Sequence, residues 1–219
     1  METEKSNIDK QYNVAKERLW SSNLSIRIAS FYKFRQLAEK CPDDFKKVIF
    51  ETLCDYLRNM PYDKYHHVMK KGKIPTKEYQ TLLDVLFKSS GISIFGKFKA
   101  DLHKACLMRT YLEDACFKNA NLSDANFFRA DLSNANLSGA NLSGARLWDA
   151  NLWEVNFSDA ILQRAQLKEA NLMEVHSIER ADFRGAKIGN RSIKKEDLPP
   201  LYEKGEYYAE WNPPKKEED

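Results

Sequence analysis

The sequence predicts an α+β protein in which a helical N-terminal half covers one end of a coil of short β-segments. Three observations predict it. Leu or Phe recurs at every fifth residue from 102 to 172, fifteen times in fifteen periods. Ala stands two residues before each of them, except at Thr110 and Val155. Ahead of residue 97 that period is absent, and apolar residues fall instead at helical spacing.

The helical region, 1–96, divides into four segments. A helix is expected over about 4–19, although its apolar face is weak. The run Arg27-Ile28-Ala29-Ser30-Phe31-Tyr32-Lys33-Phe34-Arg35-Gln36-Leu37-Ala38 places Ile28, Phe31, Leu37 and either Tyr32 or Phe34 on one face. Pro42 with Asp43 opens the next helix, through Val48, Ile49, Leu53 and Leu57. Thr76 can cap a helix over 77–88, with Gly91 just beyond it. Between the last two lies a loop mixing Tyr62, Tyr65, His66 and His67 with Lys64, Lys70, Lys71 and Lys73. Such interleaving could grip single-stranded nucleic acid, but with no RNA-binding motif beside it a solvated loop is the simpler reading.

A period of five fits neither the 3.6 of a helix nor the 2.0 of a flat strand, so the chain must turn once per repeat. Small and large apolar residues then both point inward, and the other three positions face solvent. The units Ala130-Asp131-Leu132-Ser133-Asn134 and Ala135-Asn136-Leu137-Ser138-Gly139 are near-ideal examples of the motif A(D/N)LXX. The stretch 97–190 therefore resembles the pentapeptide-repeat family. That resemblance implies a right-handed, four-sided β-helix in which residues twenty apart stack, giving inner columns such as Leu107/Phe127/Leu147/Leu167. After Leu172 the phase slips, since Ala181-Asp182-Phe183 and Ala186-Lys187-Ile188 come one residue late. One extra residue near His176 would let Ile178, Phe183 and Ile188 rejoin the columns. The run 27–58 is also similar to a helical segment that often precedes such repeats in bacterial proteins, carried by Phe31-Tyr32, Leu37-Ala38 and Leu53 to Arg58.

The segment 191–219, with Pro199, Pro200, Tyr202, Tyr207, Tyr208 and Trp211, reads as a cap over the last coil or as a docking peptide.

Charge is uneven. Residues 1–99 carry 19 Lys+Arg against 12 Asp+Glu, or +7; 100–190 carry 10 against 12, or −2; 191–219 carry 6 against 8, or −2. The start has no apolar leader core, and nowhere do 18 apolar residues run together, so no secretion or membrane span is expected and the location reads as cytoplasmic. Cys41, Cys54, Cys106 and Cys116 form no CxxC pair and read as reduced, inert thiols. Nucleotide-binding, hydrolase and zinc-protease motifs are absent, and the four histidines form no constellation. The recurrent outer Asn and Asp need only backbone hydrogen bonds to explain them. No catalytic residue, cofactor or metal site is assigned.

What remains is a non-enzymatic protein-binding scaffold that offers the rigid faces of its coil to an unidentified protein partner. Nucleic acid is disfavoured by the modest charge, and self-association is left open. Arg109, Arg129, Arg146, Trp148 and Trp153 are the outward anchors of the residue types that dominate interfaces, and His176 marks the phase slip. The alternative implied by the resemblance is a DNA-mimicking regulator or protector of DNA gyrase, as in relatives that confer quinolone resistance. Mimicry asks for a strongly negative rod, and −2 with Arg and Lys along it is a poor fit. Nucleic-acid contact through the basic helical half is a further alternative.

Overall fold

The structure is a computed structural model and describes residues 2–60, 76–88, 94–175, 177–189 and 209–211, with backbone alone at 2–4, 189 and 209–211. The aromatic, basic loop, His176 and most of the C-terminal segment lie outside these residues.

Among the described residues four helices come first: α1 (Glu2–Arg18), α2 (Leu24–Lys40), α3 (Asp43–Arg58) and α4 (Lys77–Phe87). Asn23 caps α2 by accepting from the Ser25 amide, and Thr76 caps α4 by accepting from that of Tyr79. The choice left open on α2 is resolved: Phe31, Phe34 and Leu37 are buried, whereas Tyr32 is 52% exposed. On α3 the buried face is Ile49, Phe50, Leu53 and Leu57. Val48 is exposed, and Phe50 takes the inward position beside Ile49. A buried clip ties the bundle together. Arg27 of α2 donates two hydrogen bonds, of 2.7 and 2.9 Å, to the Glu78 carboxylate of α4, which also accepts from Tyr56 of α3 at 3.0 Å.

From residue 100 the backbone repeats its conformation every five residues. Positive φ values near 57° recur from Lys104 to Glu174 at that period, and then at Arg180 and Gly185. The jump of six between Glu174 and Arg180 is the extra residue. Parallel bridges agree, joining residues twenty apart from Asp101↔Asn121 through Asn151↔Asn171, and twenty-one apart at Ile161↔Asp182. The insertion therefore falls between Val175 and Ser177. Each turn of the coil thus takes twenty residues, as four sides of five. The inner columns are dry: every repeat Leu and Phe from 102 to 167 is at most 1% exposed, as are Phe127, Phe157 and Ile188. Thr110, which replaces Ala, is also buried, and its hydroxyl donates to the Leu107 carbonyl at 2.7 Å.

Hydrogen bonds between turns follow one rule: the Leu amide donates to the turn below, as in Leu132 N to Asn151 O at 2.8 Å, and the preceding amide donates to the turn above, as in Asp131 N to Thr110 O at 2.9 Å. Outer Asn and Asp side chains accept from the amide two residues on, as at Asn136/Ser138 and Asn141/Ser143, each 3.0 Å. Some also form ladders, with Asn171 donating to Asn151 and Asn151 to Asp131, each at 2.9 Å. At the far end three short strands pair in parallel in the order β1 (Gln166–Lys168), β2 (Ala186–Gly189), β3 (Ala209–Trp211).

The first turn lacks a turn above it, and the helices supply what is missing. The Gln80 side-chain amide pairs with Tyr111 on both sides, accepting from its N–H at 3.0 Å and donating to its carbonyl at 2.7 Å. The Phe87 carbonyl accepts from Cys116 N at 3.2 Å, and the Tyr79 hydroxyl donates to the Cys106 carbonyl. Arg58, at the end of α3, pairs with Asp101. The core runs on through the junction, with Phe50, Phe87, Phe117 and Phe127 in edge or tilted contact at 6.3, 4.6 and 6.4 Å. No helix among the described residues is long and apolar enough to cross a membrane.

Candidate functional site

Because side chains twenty apart stack, the outward residues sort into four sides, and the sides differ. The first side (100–104, 120–124, 140–144, 160–164, 181–185) has three cations and three carboxylates; the fourth (115–119, 135–139, 155–159, 175–180) has two of each. The second (105–109, 125–129, 145–149, 165–169, 186–190) carries Arg109, Arg129, Arg146, Lys168 and Lys187 against Asp149 and Glu169, or +3. The third (110–114, 130–134, 150–154, 170–174) carries Glu113, Asp114, Asp131, Glu154 and Glu174 with no cation, or −5. The region total of −2 is the cancellation of these two.

Four of the candidate anchors therefore share one side: Arg109, Arg129, Arg146 and Trp148. A groove of about 430 Å³ opens there, lined by Met108, Asn126, Phe128, Arg146, Trp148 and Gln166. Trp148 is 46% exposed, although the motif prefers a small polar residue at its position. Arg129 lies over the Phe128 ring, 5.0 Å from its centroid, and pairs with Asp149 at 3.0 Å. Arg146 is exposed and makes no ion pair among the described residues. Trp153 stands apart on the acidic third side, 37% exposed, with Met173 twenty residues on at 56%. His176 lies outside the described residues. Phe128, Met108 and Gln166 were not singled out in the sequence, yet their spacing of twenty from Trp148 or Arg146 was the available signal.

A second groove, of about 520 Å³, lies between α1 and α2, with Lys10, Val14, Arg18, Tyr32 and Lys33 among its walls. No pattern in the sequence marks it.

Among the described residues, the titratable groups with shifted pKa values are explained by burial or by their hydrogen-bonded and charged neighbours. Burial pushes the thiols of Cys41, Cys54 and Cys106 up, away from the reactive thiolate. All four cysteines are free. For Asp101, burial works against its charge, but hydrogen bonds from His103 and the nearby Arg58 outweigh it and hold the carboxyl low. His103, whose Nδ1 is 2.8 Å from Asp101, thus belongs to the junction. Asp182 is held down to about 2, chiefly by its hydrogen bonds with Arg184. Among the described residues no group of His, Cys, Asp or Glu could hold a metal ion.

The pentapeptide repeats family matches residues 105–144 and 140–176, in eight copies. Among solved structures, the chain is similar to alr5209, a pentapeptide repeat protein from Nostoc PCC 7120, at 31% identity over 52% of this chain and 86% of that one, with a TM-score of 0.34. It is also similar to a pentapeptide repeat protein from the thylakoid lumen of Arabidopsis thaliana, at 29% identity over 44% and 70% of the two chains, with a TM-score of 0.19. A third is QnrB1, a plasmid-mediated fluoroquinolone resistance protein, at 17% identity over 51% and 65%, with a TM-score of 0.26. No curated protein matches the chain. With its five-residue period unbroken from 102 to 172, its twenty-residue ladder and eight matched copies, the chain belongs to the pentapeptide repeat proteins.

Proposed function

We propose that this protein is a non-enzymatic scaffold that binds a protein partner through the outer sides of its coil. The reading takes the coil as the right-handed, four-sided β-helix of the family, with 1–96 covering one end and 191–219 the other. The observation that carries it is the pair Trp148 and Trp153. Both rings stay exposed, at 46% and 37%, at positions where the fold is content with Ser, which supports their burial by a partner. Neither is needed for stability. The test is affinity purification with quantitative mass spectrometry, using the wild-type chain and the Trp148→Ser/Trp153→Ser double variant. Loss of a specific partner from the variant is expected, and an unchanged set of partners refutes the assignment.

A gyrase-directed DNA mimic draws its support from the third side, whose five carboxylates share it with no Lys or Arg. The second side, at +3, opposes it on the same rod. A supercoiling assay separates the two readings: the scaffold predicts neither inhibition nor protection of the enzyme.

A further inference from the structure

The charge sorting says what kind of partner segment the second side would take, an inference that rests on the scaffold reading. Met108, Phe128, Trp148 and Lys168 follow one another down this side, one per turn, about 4.8 Å apart. They make an apolar strip ending in a cation. Beside it runs the column Asn126, Arg146, Gln166, Lys187, which contains no carboxylate. On the opposite edge Arg129 is already committed to Asp149 and the Phe128 ring. Arg146, which lines the groove, and Lys168, one turn beyond Trp148, make no ion pair among the described residues, so positive charge stands beside the strip of Met108, Phe128 and Trp148.

We propose that the groove over Phe128, Arg146 and Trp148 docks an acidic protein segment, one that sets an aliphatic or aromatic side chain against Trp148 and a carboxylate against Arg146. A carboxylate meeting a guanidinium next to an aromatic surface gains a charge-assisted hydrogen bond where water is partly excluded. A long polyanion such as single-stranded nucleic acid is the poorer occupant. It would cross Asp149 and Glu169 on the same side and run beside the −5 of the third.

The test begins with a random peptide library displayed on phage and selected on the full chain. The strongest selected peptide is then titrated against wild type, Arg146→Glu, Trp148→Ser and Trp153→Ser, with a twenty-residue oligothymidylate as competitor. Enrichment of Asp and Glu beside apolar residues is expected. Arg146→Glu and Trp148→Ser should each weaken binding at least tenfold, Trp153→Ser should change it less than twofold, and the oligonucleotide should not compete. Both Arg146 and Trp148 are exposed, so unchanged circular dichroism is expected for their variants. Selection of no peptide, selection without acidic enrichment, equal binding by Arg146→Glu, or displacement by the oligonucleotide each overturns the proposal. A peptide lost only with Trp153→Ser also overturns it, while leaving the scaffold reading intact on the other side. The scaffold reading itself stands or falls on the double-variant purification.

Discussion

Changing Gln80 asks whether the helical half completes the coil chemically or only sits beside it. Its side-chain amide presents the donor and acceptor of a peptide group to Tyr111, at 2.7 and 3.0 Å, and donates to Asp84 at 2.8 Å. A net intramolecular hydrogen bond contributes about 0.5–1.5 kcal/mol, and these lie near the surface, so the pair on Tyr111 should total about 1–2 kcal/mol. Gln80→Ala loses both but recovers a few tenths of a kcal/mol (~0.3) in helix propensity. The expected destabilisation is about 1 kcal/mol, or roughly 2–4 °C in Tm for a chain of this size. Gln80→Glu separates bonding from packing. At neutral pH the carboxylate can still accept from the Tyr111 amide, but it cannot donate to the Tyr111 carbonyl and stands one helical turn before Asp84. It should therefore cost more than Ala, by about another 1 kcal/mol, despite matching Gln in size.

The sign of the pH dependence follows. The variant glutamate is better tolerated protonated, when it regains a donor, so its deficit relative to wild type should be present above the ordinary carboxyl range and shrink as pH falls through about 4.3. The assay is urea unfolding followed by circular dichroism at pH 7 and pH 4, with amide exchange at Tyr111 measured by NMR. Exchange at Tyr111 should accelerate in both variants at pH 7. If Ala and Glu unfold with wild type and Tyr111 exchange is unaltered, water satisfies that edge equally well, and the claim that α4 stands in for a missing turn is wrong.

Leu137 and Ser138 are neighbours on opposite sides of the wall, Leu137 fully buried and Ser138 half-buried on the outside. Leu137→Asp should unfold the coil, whereas Ser138→Asp should shift urea stability by no more than about 0.5 kcal/mol; equal tolerance would refute the inward assignment. Removing one partner of the Arg27–Glu78 clip leaves the other charge buried, so Glu78→Ala should cost about 3–5 kcal/mol by urea unfolding, most of it absent when Arg27→Met is combined with it. Acid should loosen the last turns first. Asp182 sits at about 2 in the fold against an ordinary 3.8, so its stabilisation is complete above the higher value and lost as pH falls through the lower. At the protein surface this amounts to about 1 kcal/mol after screening, and Asp182→Asn should remove that share of the acid dependence in an unfolding series between pH 5 and pH 2.

Whether a feature could be read from the sequence depended on how far apart its cause and its effect lie. The columns were legible because each inner residue is dictated by its own five-residue unit, and the slip after Leu172 because an insertion changes the phase of everything that follows. The outer Asn and Asp were legible for the same reason where their bonds reach only two residues on, whereas their ladders across twenty residues were not. Which of the adjacent Val48, Ile49 and Phe50 face the core was not legible, since three apolar residues in a row give a helix no unique face; Ile49 and Phe50 are buried and Val48 is exposed. Gln80 carried no signal at all: a lone Gln on a helix reads as solvated, and its partner is thirty-one residues away.

The charge pattern lies between these cases. Every charge is visible in the sequence, yet a sum along the chain gives −2, because neighbouring units point to different sides and the window mixes them. Only a sum taken every twenty residues separates +3 from −5. That separation is not required by the fold, since the outer positions accept Ser, Asn, Lys and Glu alike while the core below them is unchanged. Where folding is indifferent to a choice and the choice is nonetheless sorted, a partner surface of complementary charge accounts for the sorting, as the proposed scaffold role requires. The sorting places the two tryptophans in different electrostatic settings, Trp148 among cations and Trp153 among carboxylates. The two exposed rings therefore call for contacts of opposite charge, and a single partner that covers both must wrap the corner between them.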